Sequence, residues 1–564
     1  MTRFSRYLPL LVLACLGTTI GAFPRRVAAA EQIVLRAGLL EQSVSIQSLA
    51  GFAKTGSIDS DLKFYSGFIG KARMEELRQL LQHRFKISPV VVSQLTYAPL
   101  GEAALEQVGS ILRADAGTNG FYAIRAALIQ AAANPAGFTL IDVMQAFPAN
   151  GIYINIEKLL QLQRSLTTLV GYTDTTVKAI TKQAQQEAAS APADFFGLPD
   201  PIKPGPFKFS KSTVYLQRMS HSVAGAPRER RYYVDLYLPE GMPRPAPIVL
   251  ISHGLGSSPA AFAYLGTHLA SHGFAVAIPE HLGSGAQQAR ALITGLSSHY
   301  VRLNSFVERP LDIKQVIDYL ETRSQTDLAG RLDLSRIGVM GHSFGGYTAL
   351  ISAGATLNLA RIHLACTDPM RVRLDLSYSF QCLNEALPKN FDTRFLGDAR
   401  IKASLALNPV ASVVFGPEGM GTLKVPTMLV GGSADIIAPL VIEQVNPFFW
   451  LKIPDKFLTV IIPAGHTAAD ATGGDENPLS NSFASVLSGP DPILARQYIQ
   501  ALAIVFMQTY IGEAGYRRYL NAGYSFSIQQ PPLQLNLVQS LTPQMLEQAY
   551  GGAPPLPFFP PLNR

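Results

Sequence analysis

A serine framed by glycines is the most chemically suggestive feature of the chain: Gly341-His342-Ser343-Phe344-Gly345-Gly346. It follows the apolar run Ile337 to Met340 and precedes the helix-like stretch Tyr347 to Ala355. A strand, a tight turn and a helix in that order hold a serine hydroxyl outward, and the glycines leave room for the bend. The following helix N-terminus favours developing negative charge. The bland alternative is a tight turn with an idle serine. A serine hydroxyl is a weak nucleophile at neutral pH and needs a base.

The chain has ten histidines. His342 adjoins the serine and is expected to point away from it. His253, His268 and His272 precede it, whereas an elbow of this kind takes its acid and then its histidine from later in the chain. His466, in the turn Pro463-Ala464-Gly465-His466 after the apolar run Leu458 to Ile462, meets that order. The acid belongs one strand earlier. Asp435 ends Gly431-Gly432-Ser433-Ala434-Asp435 after Thr427 to Val430 and would orient the imidazole. Asp470 is its rival. Acyl transfer also needs donors for the oxyanion. The backbone N–H of Phe344 is one candidate. That of Leu255, in His253-Gly254-Leu255-Gly256, is the other, with His253 expected to shape the loop. Gly341, His342 and Gly345 complete the elbow.

These groups need a sheet to carry them. Arg231 to Leu238, Pro247 to Ser252, Phe274 to Ile278, Arg336 to Met340, Ala403 to Leu407, Thr427 to Val430 and Leu458 to Ile462 read as strands. Helical patterns lie between them, notably Pro259 to His272 and Pro310 to Arg323. Such alternation predicts a mostly parallel sheet with helices on both faces. Ile493 to Ile511 reads as a buried helix, broken for membrane use by Arg496 and three glutamines.

Upstream, residues 31–190 read as an α-helical domain of few strand-like runs. Helices are expected at Lys71 to Phe85, Gly101 to Leu112 and Phe121 to Ala133. An arm over 155–190 carries Ile156, Leu159, Leu166, Leu169 and Val170 as its apolar stripe. Residues 191–206, with five prolines, read as a linker. The catalytic segment is expected over 207–515, with a cap insertion at about 357–400. Its Tyr378, Phe380, Leu383 and Phe391 would line a pocket or simply pack. Residues 516–564 form a proline-rich extension expected to wrap the surface.

Residues 1–30 have the form of a secretion signal. Arg3 and Arg6 precede the uncharged run Leu8 to Ala22, and Ala28-Ala29-Ala30 offers a cleavage site. A retained anchor, or lipidation at Cys15, is the alternative. The expected location is exported, periplasmic or secreted, with no integral span in the mature chain. The formal charge of +7 includes four arginines of that segment, so the mature chain carries 7 − 4 = +3. With no basic cluster interleaved with aromatics, no nucleic-acid partner is expected. Cys366 and Cys382 can pair in an exported chain; two buried free thiols are the alternative. No Cys/His spacing suggests a metal.

The His-Gly-Leu-Gly loop, the Gly-His-Ser-Phe-Gly-Gly elbow and the later aspartate and histidine turns resemble α/β-hydrolases. The likeness covers about residues 207–510. It runs to the serine esterase and lipase branch with platelet-activating-factor acetylhydrolase-like, dienelactone-hydrolase-like and cutinase-like enzymes. The segment before it resembles an uncharacterised domain that precedes such hydrolases in cyanobacteria. The resemblance implies hydrolysis of a small-molecule or lipid ester, without a cofactor. Dienelactone hydrolases use a cysteine where this chain has Ser343, so their own reaction is not implied. An exported peptidase or amidase of the same fold remains open. So does a binding or scaffold protein whose segment 31–190 recruits an envelope partner.

Overall fold

The computed structural model describes residues 29–552, except 38–39, 116, 191–194, 196, 222–226, 303, 367–375, 389, 472–486 and 513. The expected signal segment up to residue 28 and the tail from 553 lie outside the described residues. Two compact units emerge. One holds the chain up to Pro89 together with Val108–Leu159, the other Val90–Gln107 and everything from Leu160.

The first unit is mostly helical, with a sheet that the sequence expectation lacked. Strands β1 (Gln32–Ala37), β2 (Leu40–Ser45), β3 (Leu112–Arg113) and β4 (Gly151–Asn155) pair in the order β2-β1-β4-β3. These strands are short, β3 having only two residues, and β2 is largely polar, so they leave little periodicity to read. Around them run helices Ile46–Thr55, Ser60–Ile69, Lys71–Gln82, Phe121–Ala132 and Leu140–Gln145.

The second unit is built on nine strands. They are β5 (Phe209–Met219), β6 (Glu229–Pro239), β7 (Ala246–Ser252), β8 (Ala275–Pro279), β9 (Leu332–His342), β10 (Ile401–Leu407), β11 (Thr427–Gly432), β12 (Lys456–Ile462) and β13 (Gln534–Val538). Their order is β13-β12-β11-β10-β9-β7-β8-β6-β5. The six central strands run parallel, and β13, β6 and β5 pair antiparallel at the edges. Every residue of β7 and β8 is buried, the mark of a strand covered on both faces. Alternate residues feed two cores. Leu250, Val339, Ala406 and Leu429 face the helices Ser305–Ser324 and Phe344–Ser352. Ile251, Met340, Leu407 and Val430 face the helices Ala263–Ser271 and Pro492–Tyr510. The fold is the α/β-hydrolase fold. Among the described residues no helix is long and apolar enough to cross a membrane.

Three local expectations change. The helix Ile156–Ser190 does not bury the predicted stripe: Leu159, Leu166 and Val170 are exposed. Its buried face comes later, with Tyr172, Ile180 and Ala184; Tyr172 stacks on Tyr550 at 4.3 Å. The later residues are the buried ones because the C-terminal elements offer them a surface, as Tyr550 does for Tyr172. The linker is not free where it is described. Pro201 accepts from His268 Nε2 at 2.8 Å and Pro199 from Tyr519 Oη at 2.6 Å. The C-terminal extension supplies β13, whose Leu535, Leu537 and Val538 are fully buried beside β12. Between the helix Phe344–Ser352 and β10, Cys366 and Cys382 form a disulfide, and Phe380 packs edge-on against Phe344 at 4.9 Å.

Candidate active site

Strand β9 ends in His342, the helix begins at Phe344, and Ser343 turns the corner between them. Its φ of 58° with ψ −118° is a conformation that non-glycine residues rarely hold. The surroundings enforce it. A Cβ on Gly341 would lie 2.1 Å from the carbonyl oxygen of Gly345, and one on Gly345 would lie 1.9 Å from that of Ser252. Only glycine fits at either place. The backbone N–H of Ser343 is tied to the Leu407 carbonyl at 2.8 Å, so the turn is held from β10 as well.

The three side chains that the sequence singles out come together in one line. His466 Nε2 lies 2.8 Å from Ser343 Oγ, and His466 Nδ1 lies 2.7 Å from Asp435 Oδ2. A carboxylate can only accept, so Nδ1 carries the proton and Nε2 is free to accept from the serine hydroxyl. Asp435 is 6% exposed, His466 5% and Ser343 9%. The backbone N–H groups of Ile437 and Ala438 donate to Asp435 Oδ1 at 2.8 Å each. The amide Nδ2 of Asn408 donates to Oδ2 at 2.7 Å. The rival Asp470 accepts from Ser257 Oγ at 2.7 Å. His342 points away from the serine and donates through Nε2 to the His466 carbonyl at 2.8 Å. Burial, and then the charge that His466 can carry, push the His342 imidazole down to about 4.

The loop after β7 passes beside this line. A Cβ on Gly254 would sit 3.6 Å from Ser343 Cβ and 3.1 Å from His342 Nδ1. Leu255 follows directly, and its N–H meets no acceptor among the described residues. His253 accepts at Nε2 from the His281 N–H (3.1 Å), so its Nδ1 carries the proton and donates to the Gly254 carbonyl (2.8 Å). Burial holds its imidazole neutral, well below its ordinary range. These two bonds tie the loop to the chain at His281.

The second unit holds another serine–histidine–aspartate line, which no sequence motif announces. Ser252 Oγ is 2.9 Å from His281 Nε2, and His281 Nδ1 is 3.0 Å from Asp312 Oδ2. All three are fully buried. Asp312 is bound further by Arg218 and Arg230. Burial alone would raise its carboxyl, but Arg230, His281 and Arg218 hold it at about 2. Ser252 is the last residue of β7, fully buried and with no elbow, so a substrate cannot approach it. Shared geometry does not make the two lines equivalent.

Two further residues escaped the sequence reading. Asn408 follows β10 with φ 44°. Its signal was an Asn-Pro pair just after an apolar strand, and asparagine tolerates positive φ better than most residues. Arg309 lies inside the helix Ser305–Ser324, one residue before Pro310. Nothing in a single sequence separates it from a surface arginine. Among the described residues no cluster of His, Cys, Asp or Glu is arranged to hold a metal.

Comparison with known proteins agrees with this architecture. Residues 29–155 match a family model described as an alpha/beta hydrolase of unknown function, DUF1400. Residues 243–385 match the model of serine aminopeptidase, S33. A platelet-activating factor acetylhydrolase of Cavia porcellus is 30% identical over 134 residues, which are 18% of this chain and 31% of that protein. Cutinase est1 of Thermobifida alba is 31% identical over 227 residues, 40% of this chain and 54% of the relative. Cutinase 1 of Thermobifida cellulosilytica is 25% identical over 250 residues, 43% and 65%. In none of these three does the match reach two thirds of the relative's length. Sheet, elbow and matches together make the chain an α/β-hydrolase by fold, similar to the esterase branch of that superfamily.

Proposed function

We propose that the protein is a serine hydrolase that cleaves carboxylic esters of small acyl, aryl or lipid-like kind, with Ser343 as nucleophile, His466 as base and Asp435 as supporting acid. The hydrogen-bonded line from Ser343 through His466 to Asp435, with its serine on a strained elbow, is the observation that carries this reading. Ser343 Oγ attacks the ester carbonyl while His466 Nε2 takes its proton. Asp435 holds the imidazole in the required tautomer and stabilises its charged form. The N–H groups of Leu255 and Phe344 receive the oxyanion. His466 then gives the proton to the departing alcohol, and the same base activates water to clear the acyl-enzyme. No cofactor enters this sequence.

The cutinase and acetylhydrolase similarities favour an ester over an amide. The description of the second family model, a serine aminopeptidase, favours the other reading, amide cleavage by the same three residues. The disulfide supports an exported protein, since such bonds persist in oxidising compartments. On this reading the catalytic segment starts after the proline-rich stretch.

A fluorophosphonate probe, applied to the protein and to Ser343→Ala, tests the proposal by mass spectrometry. Adduct on Ser343, absent from the variant, is the expected result. A folded protein that takes no label would sink the reading. Matched ester and amide substrates then separate the two specificities.

A further inference from the structure

The oxyanion loop is gripped by one buried cation. Arg309 is 1% exposed and spends its whole fork on the chain around the site. Its Nη1 donates to the His253 carbonyl at 2.5 Å and its Nη2 to the Gly254 carbonyl at 3.1 Å. Its Nε donates to Ser284 Oγ at 2.8 Å, and Nη2 also reaches the Ser284 carbonyl at 3.3 Å. The guanidinium carbon stands 4.2 Å over the ring of Phe344, within cation–π range.

These contacts touch both halves of the candidate oxyanion hole. The Gly254 carbonyl belongs to the same peptide plane as the Leu255 N–H. In a trans peptide the C=O and N–H point in opposite directions. A carbonyl fixed toward Arg309 therefore fixes the Leu255 N–H away from it. His253 Nδ1 holds the same carbonyl at 2.8 Å and the Ser257 N–H reaches it at 3.4 Å, so with Arg309 the plane is pinned by three donors. Phe344, whose ring the guanidinium covers, carries the other N–H. The loop from Gly283 back to Gly256 is stitched into the same assembly, for Gly256 N–H donates to the Ser284 carbonyl at 2.8 Å.

We propose that Arg309 is the positioning residue of the oxyanion hole: it aligns the Gly254–Leu255 peptide with the elbow residue Phe344 for a tetrahedral oxyanion on Ser343. The inference rests on the reading of Ser343 as nucleophile. Lysine cannot replace the residue, because an ammonium lacks the planar fork that holds three carbonyls and a hydroxyl at once. The hole is used in the transition state and not in substrate binding, so its misalignment lowers kcat and leaves KM.

The test measures kcat and KM for a p-nitrophenyl ester, with the inhibition constant of a trifluoromethyl ketone that forms a tetrahedral adduct, in the full chain and in Arg309→Lys. The variant is expected to lose about 30-fold or more in kcat with KM within twofold, and to weaken the ketone in parallel. A merely structural role would not tie the ketone to kcat. Folded Arg309→Lys with kcat within threefold of the parent would overturn the inference. Should that variant not fold, Ser284→Ala decides. Loss of the acceptor for Arg309 Nε is expected to lower kcat three- to tenfold at constant KM, and an unchanged kcat would overturn the proposal. Failure of the underlying reading looks different: the parent itself would turn over no ester and take no fluorophosphonate label, and the inference would fall with it.

Discussion

Asn408 and His466 donate to the same oxygen, Asp435 Oδ2, each at 2.7 Å. The amide therefore fixes the very oxygen that receives the imidazole, while Ile437 and Ala438 hold the other oxygen. A hydrogen bond to a charged group contributes about 1.5–3 kcal/mol. Asn408→Gly keeps the positive φ and removes the amide, whereas Asn408→Ala also forces an alanine into φ 44°. Both variants are expected to lose about tenfold in kcat. Asn408→Ala should unfold more easily by about 1 kcal/mol. Parallel steady-state kinetics and urea titrations check both statements, and unchanged kcat in Asn408→Gly contradicts the positioning role.

Asp435 and Asp470 can be told apart by substitution. Asp435→Asn leaves the space filled but cannot hold His466 in the working tautomer, so kcat is expected to fall by about 10³–10⁴. Asp470 holds Ser257, and Asp470→Asn is expected to stay within about fivefold of the parent. A reversed order of losses would transfer the acid's role to Asp470.

The elbow stores strain that catalysis needs and stability does not. Backbone held in so sparse a region costs about 1–3 kcal/mol. Glycine relieves that cost, though it adds about 0.5–1 kcal/mol of chain entropy. Ser343→Gly is therefore expected to be inactive yet at least as resistant to urea as Ser343→Ala. A glycine variant that unfolds clearly earlier would show that the elbow is unstrained.

Much of this was legible in the chain because parallel strands and elbows have local signatures. The seven strand runs (six in the parallel core and one in antiparallel β6), the glycines around Ser343 and the turns bearing Asp435 and His466 all follow from short-range pattern. Legibility ended where partners are distant or the pattern is thin. β5 and β13 are edge strands; β5 is largely polar and β13 lies behind Pro531 and Pro532 in a stretch that reads as loop. Arg309, Asp312 and His281 are buried polar groups whose meaning lies in partners about 30 to 60 residues away. No periodicity announces such a network. The exposed leucines of Ile156–Ser190 show the converse: an apolar stripe does not say which part of a long helix finds a core.

The disulfide closes a loop of 16 residues between Cys366 and Cys382. In the chain-entropy description such a loop stabilises by roughly 3 kcal/mol. The double variant Cys366→Ser/Cys382→Ser is expected to lose about that much in equilibrium unfolding, with the Ser343–His466–Asp435 line still formed. Phe380, two residues before Cys382, packs on Phe344, so a modest rise in KM should accompany the loss. A double variant with the parent's urea midpoint would show that packing, not the cross-link, holds this segment.

Acid should unfold the protein earlier than its surface charges alone would require. Burial pushes the imidazoles of His281, His342 and His268 down to about 4 from an ordinary value of 6.5. In the unfolded chain these groups take up protons as the pH falls below about 6.5, while in the folded chain they stay neutral. The unfolded state then binds more protons, so stability declines as pH drops. The loss begins near 6.5 and is complete for these groups near 4. Asp312, held at about 2, extends the decline below its ordinary range near 3.8. The urea midpoint is expected to be flat from pH 8 to 7 and to fall steeply from 6.5 to 4.5. His268 Nε2 donates to the Pro201 carbonyl, a bond that a glutamine amide can reproduce without titrating. His268→Gln should therefore keep the parent's stability at pH 7.5 and lose less of it at pH 5. Identical pH dependence in the two proteins would remove His268 from the set of buried neutral histidines.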